Sequence, residues 1–178
     1  GPYKVLTGVN SIMIKRGKQP VFDVHLVGLG NDTHLYGGLF SVHPDTNIKD
    51  LLKTDLVIIP AVRPESLHLN TAFIPWVTEQ YKKGAEVASL CVGAFLLAST
   101  GLLKGRKCTT HWMAAEYFRQ QFPEVKLVAE KVVTDEHGIY TSGGAYTFVN
   151  LLLHITEKYC GRDVAIQISK QIEVDIDR

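Results

Sequence analysis

Cys91 and His111 stand twenty positions apart, each at the end of a segment that reads as a β-strand. In Glu86-Val-Ala-Ser-Leu-Cys91-Val-Gly93-Ala-Phe95 an apolar strand runs straight into a small-residue helix, with a nucleophilic side chain at the junction. Such a nucleophile elbow holds its residue on a tight, strained turn at the carboxyl end of a sheet. Gly93 lets the following helix approach closely. The helix start presents unbonded N–H groups and a partial positive charge, which favour thiolate over thiol. It also directs the Val92 N–H toward an oxyanion or a ligand carboxylate. The plainer alternative is an inert thiol packed as a small hydrophobe.

In Lys107-Cys108-Thr109-Thr110-His111-Trp112 a short strand ends in a histidine before the next helix. Adjacent strands of a parallel sheet deliver their carboxyl ends to one edge, which puts His111 within reach of Cys91 as base or thiolate partner. The plainer alternative is a helix-start histidine bonded to backbone. The remaining histidines (His25, His34, His43, His68, His137 and His154) are scattered and read as surface or loop residues. Cys108 and His111 have a ligand-like gap, but nothing supplies a second pair, so no metal is expected. No cofactor is expected either.

The elements that must position this pair alternate from end to end, with no linker or internal repeat. Helical spacing covers Tyr3 to Ile14 behind Pro2, followed by a polar turn over Lys15 to Gln19. Val21 to Val27 alternates as a strand. Residues 28–47 suit a hairpin or long loop with short strands around Leu35 and Phe40. Asp55 to Pro60 is a continuous apolar run, as expected of a strand buried on both faces. Helices are predicted over Thr71 to Lys83, Val92 to Ser99, Trp112 to Phe122, Ala145 to Tyr159 and Arg162 to Lys170. Strands are predicted over Glu86 to Leu90, Lys107 to Thr110, Val125 to Val128, Lys131 to Thr134 and Ile139 to Ser142. Strands alternating with helices imply a doubly wound, mostly parallel α/β sheet with helices on both faces. A length of 178 residues fits one domain over 1–178.

Composition narrows the function classes. Hydrophobic residues make up 46% and charged residues 21%, an ordinary balance for a globular chain. The apolar runs are far shorter than the roughly 20 residues of a membrane span, and the start lacks the regions of a secretory signal. Nineteen basic against eighteen acidic side chains exclude a strongly basic nucleic-acid-binding surface. Three cysteines are a sparse, odd set and imply a reduced, cytoplasmic setting.

The run from Ser89 to Trp112, with Cys91-Val-Gly-Ala-Phe-Leu-Leu-Ala, Gly101-Leu-Leu-Lys-Gly-Arg106 and Thr109-Thr-His-Trp112, resembles the PfpI branch of the class I glutamine amidotransferase-like superfamily. More narrowly, it is similar to the amino-terminal domain of AraC-family transcriptional regulators of the GlxA type. The similarity continues through Tyr140-Thr-Ser-Gly-Gly144, Leu151-Leu-Leu-His154 and Gly161-Arg-Asp-Val-Ala165, and Gly1-Pro2-Tyr-Lys-Val5 matches the family's first helix. The resemblance implies a flavodoxin-like, three-layer α/β/α sheet and a pocket around the elbow. Arg63, Cys91, Val92, His111, Trp112, Ser142, Gly143 and Gly144 would line or rim it. It also implies a carboxy-terminal helix-turn-helix pair that reads DNA, absent from this chain, which stops at Asp175-Ile-Asp-Arg178. The family's first strand precedes the Gly-Pro helix and lies centrally, so an apolar strand is expected upstream of Gly1.

The chain departs from the family pattern where Pro60-Ala61-Val62-Arg63-Pro64 replaces a glycine pair that opens an oxyanion hole. Asn150 stands where relatives often carry Asp. Glu116 is a formal candidate for the third member beside Cys91 and His111. These features favour a sensing and dimerisation domain for a small effector, amino-acid-like or carboxylate, in a cytoplasmic homodimeric regulator. The alternative is a cysteine-dependent enzyme (hydrolase, isonitrile hydratase or glyoxalase-like) using Cys91 and His111. Redox sensing through Cys91 ranks below both.

Overall fold

A computed structural model describes residues 1–30 and 32–176. Asn31, within the expected 28–47 loop, and the last two positions of 175–178 lie outside the described residues. The helices are α1 (Pro2–Lys15), α2 (Phe73–Lys82), α3 (Ala94–Ser99), α4 (Ala115–Gln121), α5 (Phe148–Cys160) and α6 (Arg162–Gln171). The strands are β1 (Val27–Gly28), β2 (Thr33–Leu35), β3 (Phe40–Val42), β4 (Thr46–Asn47), β5 (Leu56–Ile59), β6 (Glu86–Leu90), β7 (Lys107–Cys108), β8 (Lys126–Leu127), β9 (Val133–Asp135) and β10 (Ile139–Ser142).

The central sheet runs β5-β6-β10-β9, with β5, β6 and β10 parallel and β9 antiparallel. Val57, Val87 and Ile139 lie side by side in register. Alternation along each strand then separates two cores. Val57, Ile59, Val87 and Ile139 face Val77 of α2, Phe95 and Leu97 of α3 and Phe118 of α4. Ala88, Leu90 and Tyr140 face Leu151 and Ile155 of α5. Ile58 joins the adjoining cluster where α1 and α6 close over the same side. The result is the flavodoxin-like, three-layer α/β/α fold expected.

Local chemistry explains the helices. Pro2 occupies the first helical position of α1, where its missing N–H costs nothing. Val5, Leu6, Val9, Ile12 and Met13 form its single buried stripe. Gly84, at φ 98°, ends α2 in a conformation that favours glycine.

Several expectations are corrected. Val21 to Leu26 forms no regular secondary structure, and only Val27–Gly28 forms a strand, paired with β4. The Asn10 side chain takes the place of a strand partner: its Oδ1 accepts from the Val21 and Phe22 N–H groups, and its Nδ2 donates to the Phe22 carbonyl. The segment before α2 is a 3₁₀ helix over Pro64–Asn70, and α5 begins at Phe148 rather than Ala145. Lys107 to Thr110 pairs only over its first two residues, with β8. The strand leading to His111 is therefore not a neighbour of β6, whose partners are β5 and β10.

Candidate functional site

Four chain segments converge at the carboxyl edge of the sheet. Leu90 ends β6 in extended geometry, and Cys91 then turns to φ 55°, the left-handed region that non-glycine residues rarely enter. A 3₁₀ turn over Cys91–Gly93 leads into α3. The elbow inferred from sequence is thus built, with one turn of 3₁₀ helix between strand and α-helix. Gly93 is required there, because a β-carbon would lie 2.4 Å from the Pro60 carbonyl oxygen. The Thr110 hydroxyl donates to the Cys91 carbonyl at 3.1 Å, binding the His111 segment to the elbow. Gly143 closes the group: its β-carbon would meet Thr109 Oγ1 at 3.0 Å and the Thr110 carbonyl at 3.3 Å.

The Cys91 thiol is half-buried, and burial pushes its pKa up, against a lowering hydrogen bond from the Val92 N–H. Desolvation therefore opposes the thiolate expected from the sequence. Cys108 is fully buried, donates to the Thr109 carbonyl, and has its pKa pushed up to about 12 by desolvation.

His111 takes the plainer of its two readings. Its Nδ1 accepts the Met113 N–H at 3.3 Å, which caps the 3₁₀ turn Trp112–Ala114. Its ring stacks near Trp112 at 6.1 Å between centroids. Among the described residues no hydrogen bond joins His111 to Cys91. Glu116 is exposed on α4 and paired with Arg119 at 3.3 Å, so it does not orient the imidazole.

The other anticipated residues divide by exposure. Arg63 and Trp112 are exposed; Arg63 stands at the N-cap position of the 3₁₀ helix that follows β5, with no side-chain capping hydrogen bond. Ser142 is fully buried and its Oγ has no partner among the described residues, as is true of Ser89. The Gly143 N–H donates to the Val132 carbonyl and the Gly144 N–H to Thr147 Oγ1. Asn150 lies away from the elbow, in a recess of about 230 Å³ with Val133, Leu153, His154 and Ile176. Among the described residues no three His, Cys, Asp or Glu side chains gather as a metal site.

Sequence reasoning missed Thr110, whose hydroxyl staples the two segments together. It also missed a polar cluster at the opposite sheet edge, beside an open cleft of about 620 Å³. There Glu86 accepts from Tyr140 Oη at 3.0 Å, from Tyr159 Oη at 2.7 Å and from Lys158. Thr110 follows a strand-like run, which gave a local hint. Glu86, Tyr140 and Lys158 are too far apart in sequence for any local pattern to link them.

Comparison with known proteins places this geometry. The HTH-type transcriptional regulator CdhR of Pseudomonas aeruginosa is 26% identical over 147 residues, covering 83% of this chain and 44% of the regulator. The chain thus spans less than half the length of that curated relative. Isonitrile hydratase of Pseudomonas putida is 26% identical over 97% of this chain and 71% of its own. The crystal structure of an AraC family transcriptional regulator from Pseudomonas putida superposes with a TM-score of 0.73 at 16% identity, over 96% of this chain and 91% of that one. No described helix is long and apolar enough to cross a membrane. The family model described as DJ-1/PfpI matches residues 13–158, a span that includes the elbow, the His111 cap and Gly143, and the chain belongs to the DJ-1/PfpI family.

Proposed function

We propose that this domain senses a small molecule and dimerises within a cytoplasmic AraC-type transcriptional regulator, whose DNA-reading helix-turn-helix part lies outside residues 1–178. One observation carries the reading. The elbow keeps the shape of a nucleophile site, while His111 caps its own turn and burial raises the Cys91 pKa. Both features favour a binding role over a catalytic one. The matches to CdhR and to other HTH-type regulators of the same size relationship support the same direction.

The effector would lie against Cys91, Val92, His111 and Gly144, with the buried Ser142 and Gly143 beneath them and Arg63 and Trp112 at the rim. Arg63 is an exposed cation with no ion pair among the described residues, so it suits a carboxylate or amino-acid-like ligand. A panel of such metabolites tests this through thermal stability. A ligand held only by the native state, at about 100 times its dissociation constant, adds about 2.7 kcal/mol. In a domain of this size that raises Tm by roughly 5–10 °C. A flat response across the panel, with Arg63→Ala equally flat, sinks the sensing reading.

The match to isonitrile hydratase over nearly the whole chain favours a second reading, in which Cys91 is the nucleophile and His111 its acid and base. It requires His111 to leave its cap. Cys91→Ala separates the two, since it abolishes turnover in an enzyme and leaves the thermal response of a sensor in place.

A further inference from the structure

The sheet face beneath the elbow turns polar in a single row. Ile59, Ser89, Thr141 and Thr134 stand in register across β5, β6, β10 and β9. They lie on the face whose earlier positions carry Val57, Val87 and Ile139. Thr141 is 0% exposed and Thr134 5%. Valine shares the branched shape of threonine, and a buried hydroxyl costs free energy unless it is hydrogen-bonded. Thr141 has two such bonds. Its Oγ1 lies 2.6 Å from Thr134 Oγ1 and accepts the Thr109 N–H at 2.8 Å.

The topology explains the Thr109 bond. β7 ends at Cys108 and pairs only with β8 among the described residues, so no strand ladder takes up the amide of the fully buried Thr109. A buried backbone N–H must be paired, and here a side chain of β10 replaces the missing ladder. The segment is then fixed at three successive points. The Thr109 N–H donates to Thr141, Thr109 Oγ1 to the Lys131 carbonyl at 2.8 Å, and Thr110 Oγ1 to the Cys91 carbonyl at 3.1 Å. The first point lies on the sheet and the last on the elbow, so the row of hydroxyls ties the two together.

We propose that Thr141 is a positioning residue for the elbow site: braced by Thr134, its hydroxyl holds the Thr109 amide and so seats residues 109–111 against Cys91. It acts through Thr109 and Thr110 rather than on a bound molecule. This rests on the elbow being the working site of the proposed function, and it serves a sensor and an enzyme alike, since both need the His111 segment set on the elbow. With Thr110 bonded to its carbonyl, Cys91 has this segment as part of its cover. Burial is what pushes the Cys91 thiol up, so the reactivity of that thiol reports how well the segment is seated.

Iodoacetamide labelling of the whole chain across pH, read at Cys91 by peptide mass, tests the role in Thr141→Val, Thr141→Ser, Thr134→Val and Ile155→Val. Ile155 is 0% exposed, on α5 behind the opposite face of the sheet, and its variant measures general loosening. Thr141→Val keeps the shape and removes the acceptor. It should speed Cys91 labelling at neutral pH at least about threefold and bring the midpoint down toward the ordinary value of about 8.5, as water reaches the thiol. Thr141→Ser keeps the hydroxyl and should keep the parent profile. Thr134→Val should move the profile the same way by less, and Ile155→Val should leave it in place. A parent-like profile in Thr141→Val overturns the positioning role, and so does equal acceleration in Ile155→Val or Thr141→Ser. If Thr141→Val does not fold, Thr134→Val decides, and a parent-like profile there overturns the role. The readout needs no effector, so its failure leaves the sensing reading standing, and a flat metabolite panel leaves the role of Thr141 standing.

Discussion

A β-carbon on Gly93 would stand 2.4 Å from the Pro60 carbonyl oxygen and 2.9 Å from that of Ile59. The end of the elbow turn is thereby pressed against the end of β5, with backbone on both sides of the contact. Neither side is the flexible tip of a side chain, so neither can swing away.

Gly93→Ala should therefore be costly. Overpacking against rigid neighbours destabilises by about 1–3 kcal/mol, and this contact belongs at the upper end. For a chain of 178 residues the loss corresponds to a Tm lower by about 5–10 °C. Calorimetry of the variant measures it. A Tm within about 2 °C of the parent would show that β5 and the elbow are not in contact.

The thiol of Cys91 sets a pH signature. Burial raises its pKa, and the Val92 N–H only partly opposes that rise. Alkylation by iodoacetamide, which needs thiolate, should thus be slow at neutral pH and climb with a midpoint above the ordinary value of about 8.5. Cys108, buried and shifted to about 12, should stay unreactive until the fold opens. A Cys91 midpoint near 7 would reveal an activated nucleophile and favour the enzymatic reading.

These residues also show what could be read from the sequence. Asp55 to Pro60 and Glu86 to Leu90 were legible as strands because a buried parallel strand is apolar on both faces, and Gly93 marked a close approach. Phe22, Val24 and Leu26 alternate as a strand would, yet Asn10 captures the local backbone, a contact between residues ten or more positions apart that no window reveals. The role of His111 turned on a two-residue geometry, Nδ1 to the Met113 N–H, that spacing leaves open. The order β5-β6-β10, which sets β7 apart from β6, depends on pairings fifty residues distant.

Glu86 carries the acid sensitivity of the opposite edge. Burial alone would raise its pKa, but donors from Lys158, Tyr159 and Tyr140 together hold it below the usual carboxylate range. A depressed folded-state pKa contributes stability above the unfolded value of about 4.3, lost as pH falls through the folded value. Glu86→Gln should lower stability by on the order of 2 kcal/mol at pH 7 and flatten its decline between about pH 5 and pH 3. Denaturant titrations across that range test the sign. A variant whose acid decline matches the parent's would remove Glu86 from the cluster's energetics.

The edge of β5 yields the last prediction. Among the described residues β5 pairs on one side only, with β6, while β1 and β4 form a separate parallel ribbon. The ladder between β5 and β6 begins with the Glu86 N–H donating to the Asp55 carbonyl. In parallel register the Val57 and Ile59 amides then point to β6, and those of Leu56 and Ile58 to the open edge. An apolar edge of this kind recruits further strands, which is the physical basis for proposing one ahead of Gly1. Fusing an apolar strand ahead of Gly1 should slow hydrogen exchange at Leu56 and Ile58 by at least about tenfold, while Val57 and Ile59 change less. Each open-edge amide that gains a partner contributes about 1 kcal/mol, so Tm should rise as well. Unchanged exchange at Leu56 and Ile58 in the extended chain would mean that the strand is not placed there, and that β5 is an edge by design.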